Sequence, residues 1–273
     1  MPPIVATLAT ANSYKDLRLF LSSLSLCYSR VDAPTVYLYC DSETMEKVTA
    51  DNNPLYIVFN SCLDAYSGLT RQEMEAVRRP AGTLWLEFQM EKLKLLDWVF
   101  QSDPDTAQAD GVFYLDSDIC FFGPLPSIPS TATVALSPHY IRERDEARFG
   151  RYNGGFLWMK DARAIDAWRL ACATSRFHEQ AALECLDKWK EVHLFPPQVN
   201  YGWWRMFQGS LSPQDLQAKW SCGSEVTVDG APLQSVHTHF FNPSERACQL
   251  FNEFVIGKLK QIPNNKLINL LVQ

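Results

Sequence analysis

The residues with the clearest chemical potential are Asp116, Ser117 and Asp118, inside the segment VFYLDSDICFFGPL from Val112 to Leu125. Four apolar residues run directly into the acidic pair and a second apolar group follows it. Two carboxylates one residue apart in such company need a compensating partner, because an uncompensated buried charge costs several kcal/mol. A hard divalent cation meets that need, since it takes oxygen ligands and keeps positions open for a substrate's phosphates. Far along the chain, His237 and His239 in VHTHF share one face of an extended segment, because side chains repeat every two residues in a strand. One fits as a nitrogen ligand and the other as a phosphate contact; the spacing leaves both assignments open, with a marginal preference for His239 on the metal. Oxygen donors with one imidazole suit Mn²⁺ slightly better than Mg²⁺.

Other groups have functional and bland readings side by side. Asn153, Gly154 and Gly155 precede an apolar stretch, Phe156 to Met159, and paired glycines permit either close approach to a ligand or a tight turn. His178, Glu179 and Gln180 open an amphipathic helix, where the helix dipole favours a carboxylate in any case. Lys92, between Glu91 and Lys94, reads as a cation for a diphosphate or as part of a solvated face. Thr7, Ala9, Thr10 and Asn12 end the first strand, and Asp41 ends the second. Trp203 and Trp204, with Tyr201 and Phe207, are a sugar-stacking surface or core. Arg71, Arg78 and Arg79 precede a Pro80-Ala81-Gly82 break, a flap or a solvated helix face.

The elements that must position these groups alternate in the first half. Ile4–Thr10, Thr35–Tyr39, Tyr56–Phe59 and Gly111–Leu115 have the apolar, β-branched character of buried strands. Between them, Ser13 and Asp16 resemble a capping box ahead of an apolar helical stripe, Thr70 and Glu73 open a short helix, and Leu84–Phe100 reads as a longer one. That order predicts an α/β protein with a mainly parallel central sheet and helices on both faces. The second half is less regular: strands at Thr133–Leu136, Gly155–Met159, Val192–Phe195 and Ser235–Phe241, helices at Ala162–Ala173 and His178–Trp189, and a final helix starting at Asn242, Pro243 and Glu245. In such a sheet ligands bind beyond the carboxyl ends of the strands, where Asp116 and Asp118 fall.

The acidic segment resembles the DxD motif of GT-A-fold glycosyltransferases, and the order of RYNGGF, HEQ and VHTHF behind it is similar to theirs. The resemblance runs from Ile4 to about Phe241. It implies a nucleotide-diphospho-sugar transferase fold in one domain, with a nucleotide-binding half (1–120) and a sugar- and acceptor-binding half (121–273). It implies a nucleotide-diphosphate sugar as donor, Mn²⁺ or Mg²⁺ as cofactor, and a carbohydrate or glycoconjugate hydroxyl as acceptor. Asp118 would then contact the metal, Asp116 the metal or the donor ribose, and a late histidine would return to the metal. Thr7, Ala9, Thr10, Asn12, Asp41, Lys92 and Ser117 would border the nucleotide. Asn153 and Glu179 would act at the reacting sugar, with Gly154, Gly155, His178, Gln180, Trp203 and Trp204 lining the sugar and acceptor pocket.

Composition narrows the rest. With 273 residues, 47% of them hydrophobic and 12% aromatic, the chain buries a sizeable core and is not disordered. A net charge of −6 argues against a nucleic-acid partner. Eight scattered cysteines without CxxC spacing argue against a structural zinc site or a disulfide scaffold. The opening MPPIVATLAT lacks a signal-peptide pattern, and no apolar run approaches the roughly 20 residues of a membrane span. The expectation is a cytoplasmic protein, peripheral membrane contact aside. Two rivals stand beside the transferase: a haloacid-dehalogenase-type phosphatase, whose nucleophile motif also reads strand then DxD, and a non-catalytic sugar-nucleotide-binding protein.

Overall fold

The computed structural model describes residues 2–80, 82–243 and 245–271; Ala81, in the expected flap, lies outside them. A seven-stranded sheet runs in the order Val192–Leu194, Val134–Pro138, Tyr152–Met159, Val112–Leu115, Ile4–Ala9, Thr35–Cys40, Tyr56–Ser61. Every pairing is parallel except those of Tyr152–Met159, which is antiparallel to both neighbours. Alternation along Ile4–Ala9 explains the layering: Ile4, Ala6 and Leu8 enter the core under the Leu84–Ser102 helix, while Val5 and Ala9 enter the core under Tyr14–Leu26. Both faces are thus covered, as a parallel sheet requires.

The chain leaves Ile4–Ala9 toward one edge, then returns to its other side with Val112–Leu115. This reversal opens a crevice at the carboxyl ends of those two strands. Asp116 and Asp118 extend from one of them. A second, three-stranded sheet closes the crevice: Ile119–Phe121 pairs antiparallel with Ser235–His237, in a register that sets His237 opposite Ile119. The Ser23 hydroxyl, buried on the Tyr14–Leu26 helix, accepts the Phe121 amide and fastens this sheet to the main one.

Several boundaries differ from expectation for identifiable reasons. The strand expected to Phe241 stops at His237, because the amides of Phe240 and Phe241 donate to the Asp16 side chain instead of to a neighbouring strand. Asp16 therefore does not form a capping box with Ser13; a short 3₁₀ turn, Ala11–Ser13, precedes the helix, and Ser13 exchanges bonds with Thr10. The helix expected over His178–Trp189 is α-helical only through Ala182 and tightens to 3₁₀ over Leu183–Lys188. The final helix begins at Arg246. Short helices at Ser42–Ala50, Pro104–Asp110 and Glu143–Phe149 carry too few buried residues for an apolar stripe to have announced them.

Gly111, with φ of 76°, joins the Pro104–Asp110 helix to the acidic strand, and the Trp158 ring lies across it. A Cβ there would fall 2.2 Å from that ring. Gly111→Ala should therefore lower unfolding free energy by about 2–4 kcal/mol, combining a positive φ with overpacking. An unchanged urea midpoint would contradict this packing.

Candidate active site

The crevice gathers four carboxylates, those of Asp16, Asp116, Asp118 and Glu179, and meets them with one lysine and two histidines. Asp118 lies between the histidines: His237 Nε2 is 3.0 Å from its Oδ1 and His239 Nε2 is 3.4 Å from its Oδ2. Burial alone would push this carboxyl's pKa up; the two imidazoles outweigh it and hold the group well below the usual carboxylate range. His239, half exposed, also has its Nδ1 3.6 Å from the Asp16 carboxylate. Asp118 first and Asp16 second raise its pKa to about 9.

Asp116 is held differently. The Tyr114 hydroxyl donates to its Oδ1 at 2.8 Å, and the Lys92 ammonium lies 3.4 Å from the same oxygen. Its Oδ2 faces His237 Nε2 at 3.9 Å. Lys92 is buried and also bonds Glu179 Oε1 at 2.8 Å. Burial disfavours its charge, but Asp116 and Glu179 together reverse that and raise its pKa above the ordinary lysine value. Its neighbour Glu91 is buried too, taking a hydroxyl from Tyr66, so only Lys94 occupies a solvated face.

A relay fixes His237. Asn200, fully buried, gives its amide hydrogens to Ser137 Oγ and Asn153 Oδ1, which leaves its own Oδ1 to accept His237 Nδ1 at 3.2 Å. With Nδ1 the donor, Nε2 is the nitrogen presented to the carboxylates, the arrangement of a metal-ligating histidine. One ligand atom each from Asp116, Asp118 and His237 lies within 4.8 Å of the others. Two carboxylate oxygens and an imidazole nitrogen form a donor set suited to Mn²⁺ or Mg²⁺. The structure thus brings His237, rather than the preferred His239, into that group.

The glycines of RYNGGF make this approach possible. A Cβ on Gly155 would fall 2.1 Å from Asp116 Oδ2 and 2.6 Å from His237 Cε1. On Gly154 it would fall 3.1 Å from Glu179 Oε1. Asn153 accepts the Gly155 amide, and Gln180 receives the Gly154 amide at 3.4 Å. The Lys92, Glu179, Asn153, Gly154 and Gly155 groups therefore border one space with the metal-type cluster.

Other expected residues lie farther out or are committed elsewhere. Asp41 is fully buried, with Oδ1 taking the Thr44 amide and Oδ2 the Ala11 amide, so it caps one helix and pins the turn after the first strand. Thr7, Ala9 and Thr10 are buried at the end of that strand, and Asn12 is exposed beside them. Ser117 is buried between the two aspartates. His178 packs on Phe177 with φ of 45°, next to Glu179. Trp204 is buried with its ring 5.0 Å from that of His237, while Trp203 is partly buried against the C-terminal core. Arg71 lies over Trp85, and Arg78–Arg79 form a two-residue hairpin with Gly82–Thr83.

Sequence reasoning missed Asn200, Asp16 and Tyr114 as site residues. For Tyr114 a signal existed: period-two alternation puts it on the same strand face as Asp116. Asn200 and Asp16 act through contacts across long sequence separations, which spacing does not reveal.

No protein-family model matches this sequence, and no curated protein does. Solved structures match over nearly its whole length. The glycosyltransferase GlyE of Streptococcus pneumoniae TIGR4 superposes with a TM-score of 0.54 at 14% identity, covering 100% of this chain and 62% of GlyE. The galactosyltransferase LgtC, solved with donor and acceptor sugar analogues, gives 0.53 at 13% identity, covering 96% of this chain and 98% of LgtC. Mouse xyloside xylosyltransferase 1 gives 0.52 at 10% identity over 90% of this chain. The chain has the GT-A fold. Against GlyE it spans under two thirds of the partner's length, and at these identities the likeness is one of fold. Among the described residues no helix of the GT-A fold here is long and apolar enough to cross a membrane.

Two outcomes follow from this geometry. Gly155→Ala should force Asp116 or His237 aside and lower unfolding free energy by about 1–3 kcal/mol; an unchanged urea midpoint would contradict the close approach. Because the folded pKa of His239 lies above its ordinary value of 6.5, its pairing stabilises the metal-free protein fully below pH 6.5 and fades as pH rises through about 9. The wild type should therefore exceed His239→Gln in Tm at pH 6 and lose that margin by pH 9 to 10. A margin independent of pH would refute the pairing.

Proposed function

We propose that this protein is a metal-dependent glycosyltransferase, moving a sugar from a nucleotide-diphosphate donor to a hydroxyl of a glycan or glycoconjugate. The observation that carries the reading is the convergence of Asp116, Asp118 and His237 at the switch point of a GT-A sheet, against a Gly155 that leaves no room for a side chain. The named activities of GlyE, LgtC and the xylosyltransferase support the same class.

Asp116, Asp118 and His237 would hold Mn²⁺ or Mg²⁺, which when bound would neutralise charge gathering on the departing diphosphate. His239, charged and half exposed beside Asp118, would contact a donor phosphate. Lys92 would hold Asp116 and Glu179 in place at the sugar. Asn153, Gly154, Glu179 and Gln180 would border the transferring sugar, with Glu179 orienting the acceptor hydroxyl or accepting its proton. The first strand's end, from Thr7 to Asn12, would face the nucleotide, so residues 1–120 serve the donor base and 121–273 the sugar and acceptor. The phosphatase reading is disfavoured by the fold, since the solved structures that superpose on this chain are glycosyltransferases.

UDP or GDP with Mn²⁺ should raise the wild-type Tm, as a ligand at about 100 times its Kd stabilises by about 2.7 kcal/mol. Asp118→Asn should abolish that shift and the release of nucleotide from UDP- or GDP-sugars, in a protein that still folds but melts lower without metal because its histidines lose their partner. No shift in the wild type with any nucleoside diphosphate would overturn the reading. Nucleotide binding without turnover across a donor screen would favour the binding protein.

A further inference from the structure

Arg205 is a buried charged group whose hydrogen-bonding capacity is mostly unmet among the described residues. Its side chain is buried, at 3% exposure, and only Nη2 has a partner, donating to the Pro138 carbonyl at 2.8 Å. Nε and Nη1 are buried with no hydrogen-bond partner among the described residues, and the same holds for the indole N–H of the adjacent Trp204. No carboxylate pairs with the guanidinium among the described residues. Its neighbours are aromatic rings, Tyr140 at 4.7 Å and Tyr201 at 5.8 Å from the guanidinium carbon. Desolvation lowers its pKa to about 10, still charged at neutral pH. A buried cation without an anion is a strongly unfavourable arrangement unless another group completes it.

Its location suggests what completes it. Pro138 ends a strand of the main sheet at the same rim as Leu115, since Pro138 and Leu115 pair with Tyr152 and Phe156 of one antiparallel strand. The Trp203–Gln208 helix that carries Arg205 follows Tyr201–Gly202, which pairs beside His237. Next to Pro138, His139 packs its ring 5.6 Å from that of Trp204; burial brings its pKa down to about 4 against the bond to the Gly150 carbonyl, and the Arg205 charge adds to the lowering. Arg205 therefore belongs to the side of the crevice away from the first strand, where the acceptor would approach. The Tyr140 ring lies against it; the residue is 46% exposed, and its backbone has φ of 53°, an unfavourable conformation for a bulky residue. Among the described residues the Tyr140 hydroxyl has one partner, donating to the Phe195 carbonyl at 3.2 Å.

We propose that Arg205 is the recognition group of an oxyanion subsite on the acceptor side, gated by the Tyr140 side chain. An acceptor carrying a carboxylate or phosphate near its accepting hydroxyl would displace the Tyr140 ring and pair with Nε and Nη1, the fork that guanidinium presents to such groups. The acceptor role rests on the transferase reading above; the anion site itself does not.

Thermal shift and calorimetric titration with methyl phosphate and with acetate, each against sodium chloride at equal ionic strength, test it and separate the two sources. One of these oxyanions should stabilise the wild type saturably, and Arg205→Met should weaken that binding roughly 10–100-fold, as expected for losing a charge-assisted bond. Arg205→Met should unfold no earlier than the wild type without anion, because it removes an uncompensated charge. Tyr140→Gly, which removes the ring and suits the positive φ, should bind the oxyanion more tightly than the wild type. The shift with UDP or GDP plus Mn²⁺ should be the same in all three proteins. Absence of any saturable oxyanion effect in both wild type and Tyr140→Gly, or equal binding by Arg205→Met, overturns the subsite. An oxyanion effect without a nucleotide shift sinks the donor reading and leaves the subsite standing.

Discussion

The structure turns on how negative charge is accommodated at the rim of a parallel sheet. Asp16, Asp116, Asp118 and Glu179 come together where water is largely displaced, and each is held by a cationic side chain. Lys92 joins Asp116 to Glu179, and the histidines flank Asp118. Removing one partner of such a pair leaves a buried charge uncompensated, at about 3–5 kcal/mol. This explains why a lysine in the middle of a helix is buried, and Asp16 meets its remaining need by accepting the Phe240 amide, 224 residues away in sequence.

Much of this was legible in the sequence. The apolar run into Asp116 identified the acidic strand, and the strand–helix alternation of the first half identified the mainly parallel sheet, because buried strands and amphipathic helices each have their own period. The relevance of RYNGGF was visible as paired glycines, though only coordinates show that Gly155 has Asp116 Oδ2 where a Cβ would be. What was not legible depends on contacts between distant segments. Lys92 has the same sequence surroundings as a solvated lysine; its burial follows from Glu179, 87 residues later. His237 and His239 are equivalent by alternation, and the difference between them comes from Asn200 on one side and Asp16 on the other.

The back half shows the same limit in its secondary structure. Leu183–Lys188 has helical composition yet tightens to 3₁₀. Nearby, Glu184 and Asp187 are drawn into bonds with Arg176, Arg151 and Tyr152. Trp203 and Trp204 read as a stacking pair in sequence, but one turns toward His237 and the other toward the C-terminal core. Tertiary packing, more than local propensity, decides such positions.

The account is tested most directly by an anomalous-difference map from crystals grown with Mn²⁺ and a nucleoside diphosphate. It predicts a single strong peak coordinated by Asp116, Asp118 and His237 Nε2, with the diphosphate on the same ion and His239 outside the coordination sphere. A peak elsewhere in the molecule, or ordered nucleotide with Asp118 still paired to His237 and no metal between them, would contradict it.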